Sequence, residues 1–299
     1  MKHLFNKALT LCVASLLVAP QFAMAQRNFD AIEIEATQVA DNIYMLTGSG
    51  GNIGVIIGED GTFIIDDQFA PLTEKITAKI AELTDKPVEF VMNTHWHGDH
   101  TGGNENFGKA GALIVAHDNV RERMHARQLE EAIENADASA ALPVVTFARD
   151  VTFHINGETV HAFHVEEAHT DGDAIIHFKN ANVMHLGDTF FAGRFPYIDL
   201  DSGGTVDGMI SSANRVLSLA NDETKIIPGH GPLSKPADLK KYRDVLMKVR
   251  AKVIIMVRED KTLEEVMAAN PTEGYDDWGT GFINSERFIT ILYNDLSKQ

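Results

Sequence analysis

The sequence predicts a mixed α/β fold (α+β) in which two β-sheets pack together between outer helices, a four-layer αββα sandwich. Short apolar runs of strand length alternate with helical patterns, in two successive sets along the chain. No segment rich in proline, glycine or serine marks a domain boundary. Residues 26–299 are therefore expected to form a single domain that includes the C-terminal helices.

The first set of elements is expected between residues 53 and 141. Strands are predicted where apolar residues alternate or run together after turn signals. Helices are predicted where apolar residues recur every three or four positions, as they do after Pro71. The expected strands are 53–57, 63–65, 88–92 and 112–116, and the expected helices are 71–83 and 117–127, with a polar helical extension over 128–141.

The second set begins at residue 144 and runs to the end of the chain. Nearly all signals between residues 144 and 186 are those of strands, and Asn156-Gly157 indicates a tight hairpin turn. Helical patterns then alternate with one further strand. The expected elements are a helix over 205–220, a strand over 224–227, a long helix from Pro236, a shorter helix near Leu263 and a last helix over 285–296.

The first 25 residues have the layout of a secretory signal peptide. Lys2 and Lys7 give a positive start, residues 8–19 are apolar, and residues 23–25 form a small-x-small cleavage signal. The apolar stretch is too short to span a membrane, and no second stretch is long enough. We therefore expect cleavage near Gln26 and a periplasmic or secreted protein.

Charge and cysteine content restrict the partners of the protein. The formal net charge is −17, and the leader contains two lysines and no acidic residue, so the mature chain would carry −19. A surface this acidic repels phosphate groups, so neither nucleic acid nor an anionic membrane is an expected partner. Cys12 lies in the leader, so the mature protein would have no disulfide and no thiolate ligand. A small-molecule substrate is expected, and the oligomeric state is left open.

One short segment holds four side chains that can bind metals. His95, His97, Asp99 and His100 occupy six positions. In an extended segment residues two apart point the same way, so His95 and His97 can face one metal ion. Gly98 allows the backbone to turn, so that Asp99 and His100 can face a second ion. The spacing therefore predicts two adjacent metal sites.

Three later positions, His169, Asp188 and His230, lie in loops next to strand-like runs and can complete both sites. The expected first site is His95, His97 and His169, the expected second site is Asp99, His100 and His230, and Asp188 is expected to bridge them. A donor set of nitrogen and oxygen suits zinc, although imidazole also binds iron, copper and nickel. We expect two Zn²⁺ per chain, each with the open position of a catalytic site.

These motifs resemble those of the metallo-β-lactamase superfamily. The His-x-His-x-Asp-His run is followed in the same order by the loop at His169, the Gly187-Asp188 turn and the Gly229-His230 turn. The resemblance covers nearly the whole mature chain. It implies the αββα sandwich, with the metals at one edge between the sheets, and the ligand roles given above.

Subgroups of the superfamily differ at two informative positions. Lactamases of the commonest subclass have a cysteine where this chain has Asp188, and a substrate-binding lysine where it has Phe191. Thioesterases of the glyoxalase II type have the aspartate, and Gly187-Asp188-Thr189 is similar to their motif. The resemblance therefore leaves the substrate open.

The expected activity is hydrolysis of an amide or ester carbonyl by water that the metal activates. β-Lactams rank first because an exported enzyme meets antibiotics. Asp99 is expected to be catalytic, orienting the nucleophile and passing on a proton. Arg194 is expected to hold a substrate carboxylate, and Phe195 and Tyr197 are further candidate substrate contacts.

Three alternatives remain open from the sequence. One is a lactone or thioester hydrolase of the glyoxalase II type. Another is an oxidoreductase similar to persulfide dioxygenases, which use a single iron. The third is a non-catalytic metal-binding protein in a redox relay. Metal identity and stoichiometry separate these classes.

Overall fold

A computed structural model of the protein describes residues 28–130 and 138–298. The expected signal peptide at residues 1–25 lies outside the described residues, as does part of the expected helical extension over 128–141. Across the two described ranges, no helix combines the length and the apolar character needed to cross a membrane.

The described strands form two sheets. The first sheet consists of β1 (Glu35–Ala40), β2 (Ile43–Thr47), β3 (Ile53–Ile56), β4 (Thr62–Ile65), β5 (Val88–Met92), β6 (Leu113–His117) and β7 (Val145–Phe147). Its strands lie in chain order, antiparallel from β1 to β4 and parallel from β4 to β7.

The second sheet has the spatial order β12-β11-β10-β9-β8. Its strands are β8 (Asp150–Ile155), β9 (Glu158–His164), β10 (Ala174–Phe178), β11 (Val183–His185) and β12 (Lys225–Ile227). Strands β11 and β12 run parallel, and the other neighbours run antiparallel.

The helices begin at residues that favour helix starts. Thr205 accepts a hydrogen bond from the amide of Gly208, Thr262 and Glu265 form a capping box, and Pro236 occupies the first position of the longest described helix. The described helices are α1 (Thr73–Ala81), α2 (Gly98–Thr101), α3 (Asn104–Lys109), α4 (Asp118–Glu130), α5 (Val206–Leu219), α6 (Pro236–Arg258), α7 (Leu263–Ala268) and α8 (Ser285–Leu296).

Successive strand residues pack into different apolar layers. In β4, Phe63 and Ile65 lie between the two sheets, while Ile64 packs with residues of α1 and α3. In β10, Ile176 lies between the sheets, while Ile175 packs with residues of α5, α6 and α8. The order of layers is helix, sheet, sheet, helix, and the predicted αββα sandwich is confirmed.

Local differences from the sequence prediction have physical reasons. The sequence pattern does not predict β1, because four of its six residues are exposed and it lacks apolar alternation; its pairing with β2 forms it. Of the extension over 128–141, the described part contains the end of α4 and a 3₁₀ turn at Ala138–Ala141. The hairpin at Asn156-Gly157 is present, with φ of 54° and 74°.

Five connecting segments meet at one edge of the sandwich. Backbone hydrogen bonds join them: Gly51 to Asp99, Asn52 to Gly229, Gly229 to Gly187, and Asp199 to His169. The segments follow β2, β5, β9, β11 and β12, so both sheets contribute loops to this edge. Every predicted metal ligand lies on one of these segments.

Candidate metal centre

Four of the predicted ligands converge at the carboxyl end of β5. Ligand atoms of His95, His97, His169 and Asp188 all lie within 4.8 Å of one another. His169 Nε2 lies 2.9 Å from His97 Nδ1 and 3.6 Å from Asp188 Oδ2, and His95 Nε2 lies 3.9 Å from that same oxygen. The structure therefore brings together the first expected site.

The other three predicted ligands form an adjacent group. Ligand atoms of Asp99, His100 and His230 also lie within 4.8 Å of one another. Asp188 Oδ1 lies 3.2 Å from His100 Nε2 and 3.3 Å from His230 Nε2. Asp188 therefore presents Oδ2 to the first group and Oδ1 to the second, which is the position of a bridging ligand.

Buried polar atoms show that this cluster fits divalent cations. His95 Nε2 is buried and has no hydrogen bond within the described parts of the chain, and the groups beside the buried Asp188 Oδ1 are the imidazoles of two other predicted ligands, His100 and His230. A buried polar atom without a partner costs about 1–3 kcal/mol, which coordination of a cation would offset. Gly51 and Gly229 provide space, because a Cβ at Gly51 would collide with His100 and one at Gly229 with Asp188.

Three members of the cluster have pKa shifts that suit metal binding. Burial lowers the pKa of His169 to about 4, and burial together with the neighbouring imidazoles holds the pKa of His95 well below its ordinary value. Burial alone would raise the pKa of Asp188, but His230 and His100 hold it well below its ordinary value. Neutral imidazoles and an ionised carboxylate are the forms that bind metals.

Carboxylates surround the second group and favour positive charge there. Burial opposes protonation of His100, yet Asp188, Asp66 and Asp99 together raise the pKa of this imidazole well above its ordinary value. An imidazole that takes up a proton against the effect of burial lies in a strongly negative potential. Divalent cations beside His100 would neutralise that potential.

A buried carboxylate behind the cluster orients two of the imidazoles. Asp66 Oδ2 accepts a hydrogen bond from Thr94 Oγ1 and pairs with His100 Nδ1, both at 2.7 Å. Thr94 Oγ1 also lies 3.0 Å from His95 Nδ1. These contacts occupy the Nδ1 atoms and leave both Nε2 atoms facing the cluster.

A second outer carboxylate, Asp199, holds His97. Its Oδ2 lies 2.9 Å from His97 Nε2, which leaves His97 Nδ1 facing the cluster. Burial would raise the pKa of Asp199, but hydrogen bonds from the side chains of His97 and Ser202 lower it to about 2. His169 Nδ1 donates to the Tyr197 carbonyl at 2.8 Å. The loop that contains Tyr197 and Asp199 is therefore attached to two predicted ligands.

Two further side chains fix the ligand loops. Asn52 Nδ2 donates to the carbonyls of Pro228 and Gly231, each at 2.9 Å, and so holds the turn that contains His230. Asp173 Oδ2 accepts from the amide of His169 at 2.6 Å, and burial raises the pKa of Asp173 to about 7. These contacts set the positions of the two loops before any ligand binds.

We expect Asp66→Asn to weaken metal binding about 10- to 100-fold, the usual effect of losing an outer hydrogen-bond partner of a ligand. The substitution keeps the shape of the side chain but removes the charge that holds His100 and Thr94. Competitive titration with a metal chelator measures the affinity.

The matched control for this substitution is Asp67→Asn. Asp67 is equally buried, accepts from the amide of Gly103 and, within the described ranges, hydrogen-bonds to none of the clustered imidazoles. Its substitution should leave metal affinity close to wild type. Equal affinities for Asp66→Asn and the wild-type protein would contradict the assigned role of Asp66.

A cavity of about 540 Å³ lies over the cluster. Asp99, Asp188, His97 and His230 line it on the metal side. Of the three predicted substrate contacts, Arg194 and Tyr197 are half-buried and line the cavity. Phe195 borders the cavity, but its ring is 1% exposed and stacks on Phe288 at 4.5 Å, so its contacts are mainly those of packing.

Sequence reasoning missed Asp66, Asp199 and Phe282, which also lines the cavity. The pair Asp66-Asp67 directly after a buried strand was an available signal. Asp199 gave no such signal, because its partner His97 lies 102 residues away in the sequence.

Five imidazoles and two carboxylates lie together at the edge of the αββα sandwich, beneath an open cavity. This arrangement places the protein in the class of αββα metalloproteins. A sequence profile of the metallo-beta-lactamase superfamily matches residues 46–231, and the chain belongs to that superfamily.

Individual relatives are distant. The chain is 23% identical over 267 residues to the lactamase-like protein aptB of Emericella nidulans, an alignment that covers 84% of this chain and 74% of that protein. It is 24% identical over 208 residues to the atrochrysone carboxyl ACP thioesterase of Aspergillus chevalieri, covering 68% of this chain and 59% of the relative.

A solved metallo-beta-lactamase from Pontibacter korlensis has a similar fold. The TM-score is 0.59 at 19% sequence identity, and the match covers 72% of this chain and 99% of that chain. At this identity the likeness supports the fold and does not assign a substrate.

Proposed function

We propose that the protein is an exported dinuclear zinc hydrolase that cleaves an amide or ester carbonyl, with β-lactams as the first substrate class to test. The observation that carries this proposal is the position of Asp188, which offers one oxygen to each of two ligand groups beneath a cavity. Zinc is proposed because two adjacent histidine-rich sites suit hydrolysis, which needs a metal that activates water and no redox chemistry. Bound zinc lowers the pKa of water and polarises carbonyl groups.

Asp99 is the proposed catalytic carboxylate. Its side chain is 28% exposed and lines the cavity, and its Oδ2 lies 3.5 Å from His230 Nε2. A carboxylate at this position can orient the attacking water and accept its proton. Its partial exposure allows the proton to pass on to the leaving group or to solvent.

Arg194 is the proposed contact for a substrate carboxylate. Arg194 lines the cavity, and its guanidinium has no hydrogen-bond or ion-pair partner in residues 28–130 or 138–298. A planar guanidinium binds a carboxylate through two parallel hydrogen bonds. Phe191 stacks on His230 at 5.3 Å and provides an apolar surface in the same cavity.

Export is proposed from the leader features alone, which lie outside the described residues. The positive start, the apolar stretch and the small-x-small motif support it. The location and the mature start near Gln26 remain predictions.

Thioester hydrolysis is the second candidate. Two observations favour it. Asp188 stands where lactamases of the commonest subclass have a cysteine, and the chain is similar to a protein named as a thioesterase. The proposed mechanism is shared, because both substrate classes present an acyl carbonyl. The two candidates differ in the group that leaves.

The proposal is tested with the zinc-loaded protein and a panel of nitrocefin, a lactone and an acyl thioester. We expect hydrolysis of at least one substrate, loss of activity with a chelator and recovery on adding zinc.

Arg194→Ala should raise KM about 10- to 100-fold for a substrate with a carboxylate, since a hydrogen-bonded charge contributes about 1.5–3 kcal/mol.

A neutral ester provides the control for Arg194→Ala, because its KM should not depend on the guanidinium. Absence of hydrolysis across the whole panel by protein that holds two zinc ions would contradict the proposed function. An unchanged KM for nitrocefin in Arg194→Ala would contradict the role of that residue.

A further inference from the structure

The C-terminal part of the chain supplies one wall of the cavity. The superfamily profile ends at residue 231, whereas Phe282 and Ile283 line the cavity beside the metal cluster. Both residues lie between the 3₁₀ segment Asp276–Thr280 and helix α8. This wall therefore comes from outside the region that matches the superfamily, and its two residues are not among the predicted metal ligands.

Phe282 is exposed and yet fixed in position. The residue is 71% exposed, the largest value among the exposed large apolar residues of the described chain. The Arg287 guanidinium lies 4.4 Å from the ring centroid and also donates to the Phe282 carbonyl at 3.0 Å. The Tyr197 ring meets it edge to face at 6.3 Å.

Fixed, exposed aromatic rings are suited to ligand binding. Little conformational freedom is lost when a ligand covers a side chain that its neighbours already hold. The apolar area that becomes buried then contributes to affinity. Phe282 and Tyr197 together therefore form a preformed apolar surface at the mouth of the cavity.

Packing fixes this aromatic surface relative to Arg194. The amide of Phe195 donates to the Trp278 carbonyl at 3.0 Å, and the Phe195 ring stacks on Phe288 of α8. A Cβ placed on Gly281, the residue before Phe282, would lie 3.5 Å from Arg194 Cδ. The aromatic surface and the cation therefore lie side by side above the cluster.

We propose that Phe282, with Tyr197, selects amphipathic anions, that is, acyl substrates that carry both a carboxylate and a bulky apolar or aromatic group. This inference rests on the proposed hydrolytic function and names its substrate class. The carboxylate binds Arg194, the carbonyl faces the metal ligands, and the apolar group packs on Phe282. Small polar anions use Arg194 alone.

The test measures binding of 2-benzylsuccinate and 2-methylsuccinate to the zinc-loaded protein by isothermal titration calorimetry. The two probes share both carboxylates and differ in the apolar group. We expect the wild-type protein to prefer the benzyl compound. Phe282→Ala should weaken benzylsuccinate about tenfold or more and change methylsuccinate by less than about twofold, since burial of an aromatic ring drives the difference.

Ile255→Ala is the matched control, because Ile255 is also exposed, at 57%, but lies on α6 and does not line the cavity. It should leave both affinities unchanged. The proposal is overturned if Phe282→Ala retains the full benzyl preference, if it weakens both probes equally, or if the wild-type protein has no preference. Absence of hydrolysis would contradict the proposed function, and it is a separate result. The binding preference is measured without any turnover, so it does not depend on hydrolysis.

Discussion

Asp99→Ala is expected to lower kcat about 10²- to 10⁴-fold, the range for loss of a general acid–base group. The carboxylate lines the cavity, and its Oδ2 lies 3.5 Å from His230 Nε2 and 3.9 Å from His100 Nε2. Alanine removes both the proposed proton acceptor and one oxygen of the second ligand group. Steady-state kinetics on whichever panel substrate is hydrolysed, together with the metal content of the variant, measure the effect.

The metal content separates the two roles of Asp99. If the variant keeps its metal and loses turnover, the carboxylate acts on the nucleophile; if it loses metal as well, ligation contributes. Asp201→Ala removes an exposed carboxylate from the nearby turn Leu200–Ser202 and should leave kcat unchanged. Unchanged turnover by fully metal-loaded Asp99→Ala would exclude Asp99 as the catalytic residue.

Asp188→Asn is expected to reduce the bound zinc from two ions to one or fewer per chain and to abolish most activity. Asp188 is 5% exposed, and its two oxygens face different ligand groups. Asparagine keeps the volume but offers one neutral oxygen, so it cannot bridge two cations. The affinity of the weaker site should fall by more than about 100-fold, beyond the usual effect of an outer partner.

The control for Asp188→Asn is another buried aspartate outside the cluster. Asp295 in α8 is also 5% exposed, and its Oδ2 accepts from the amide of Val206 at 2.8 Å. Asp295→Asn should change the free energy of unfolding but not the zinc content. Two zinc ions bound with unchanged affinity in Asp188→Asn would refute the bridging role.

The fold was predictable where burial leaves a pattern in the sequence. Ile64 and Ile65 face different apolar layers, so the whole run at 63–65 is apolar and reads as a buried strand. Strand β1 leaves no such pattern, because most of its side chains are exposed and its position depends on pairing with β2. The order of strands and helices predicts the layering, and the structure confirms it.

The site was predictable only where its residues are close in sequence or belong to known motifs. His95, His97, Asp99 and His100 lie within six positions, so their spacing alone indicates a metal site. Asp66 reaches His100 across 34 residues, and no local pattern links them. The sequence predicts Phe195 as a substrate contact because it lies in a turn-rich loop, but Phe288 of the distant helix α8 covers its ring.

Elemental analysis of the purified protein, with the number of metal ions per chain, tests the central claim most directly. The arrangement of His95, Asp99 and Asp188 in two adjoining ligand groups predicts two zinc ions per chain. A single iron per chain, or metal well below one ion per chain after incubation with zinc, would contradict it.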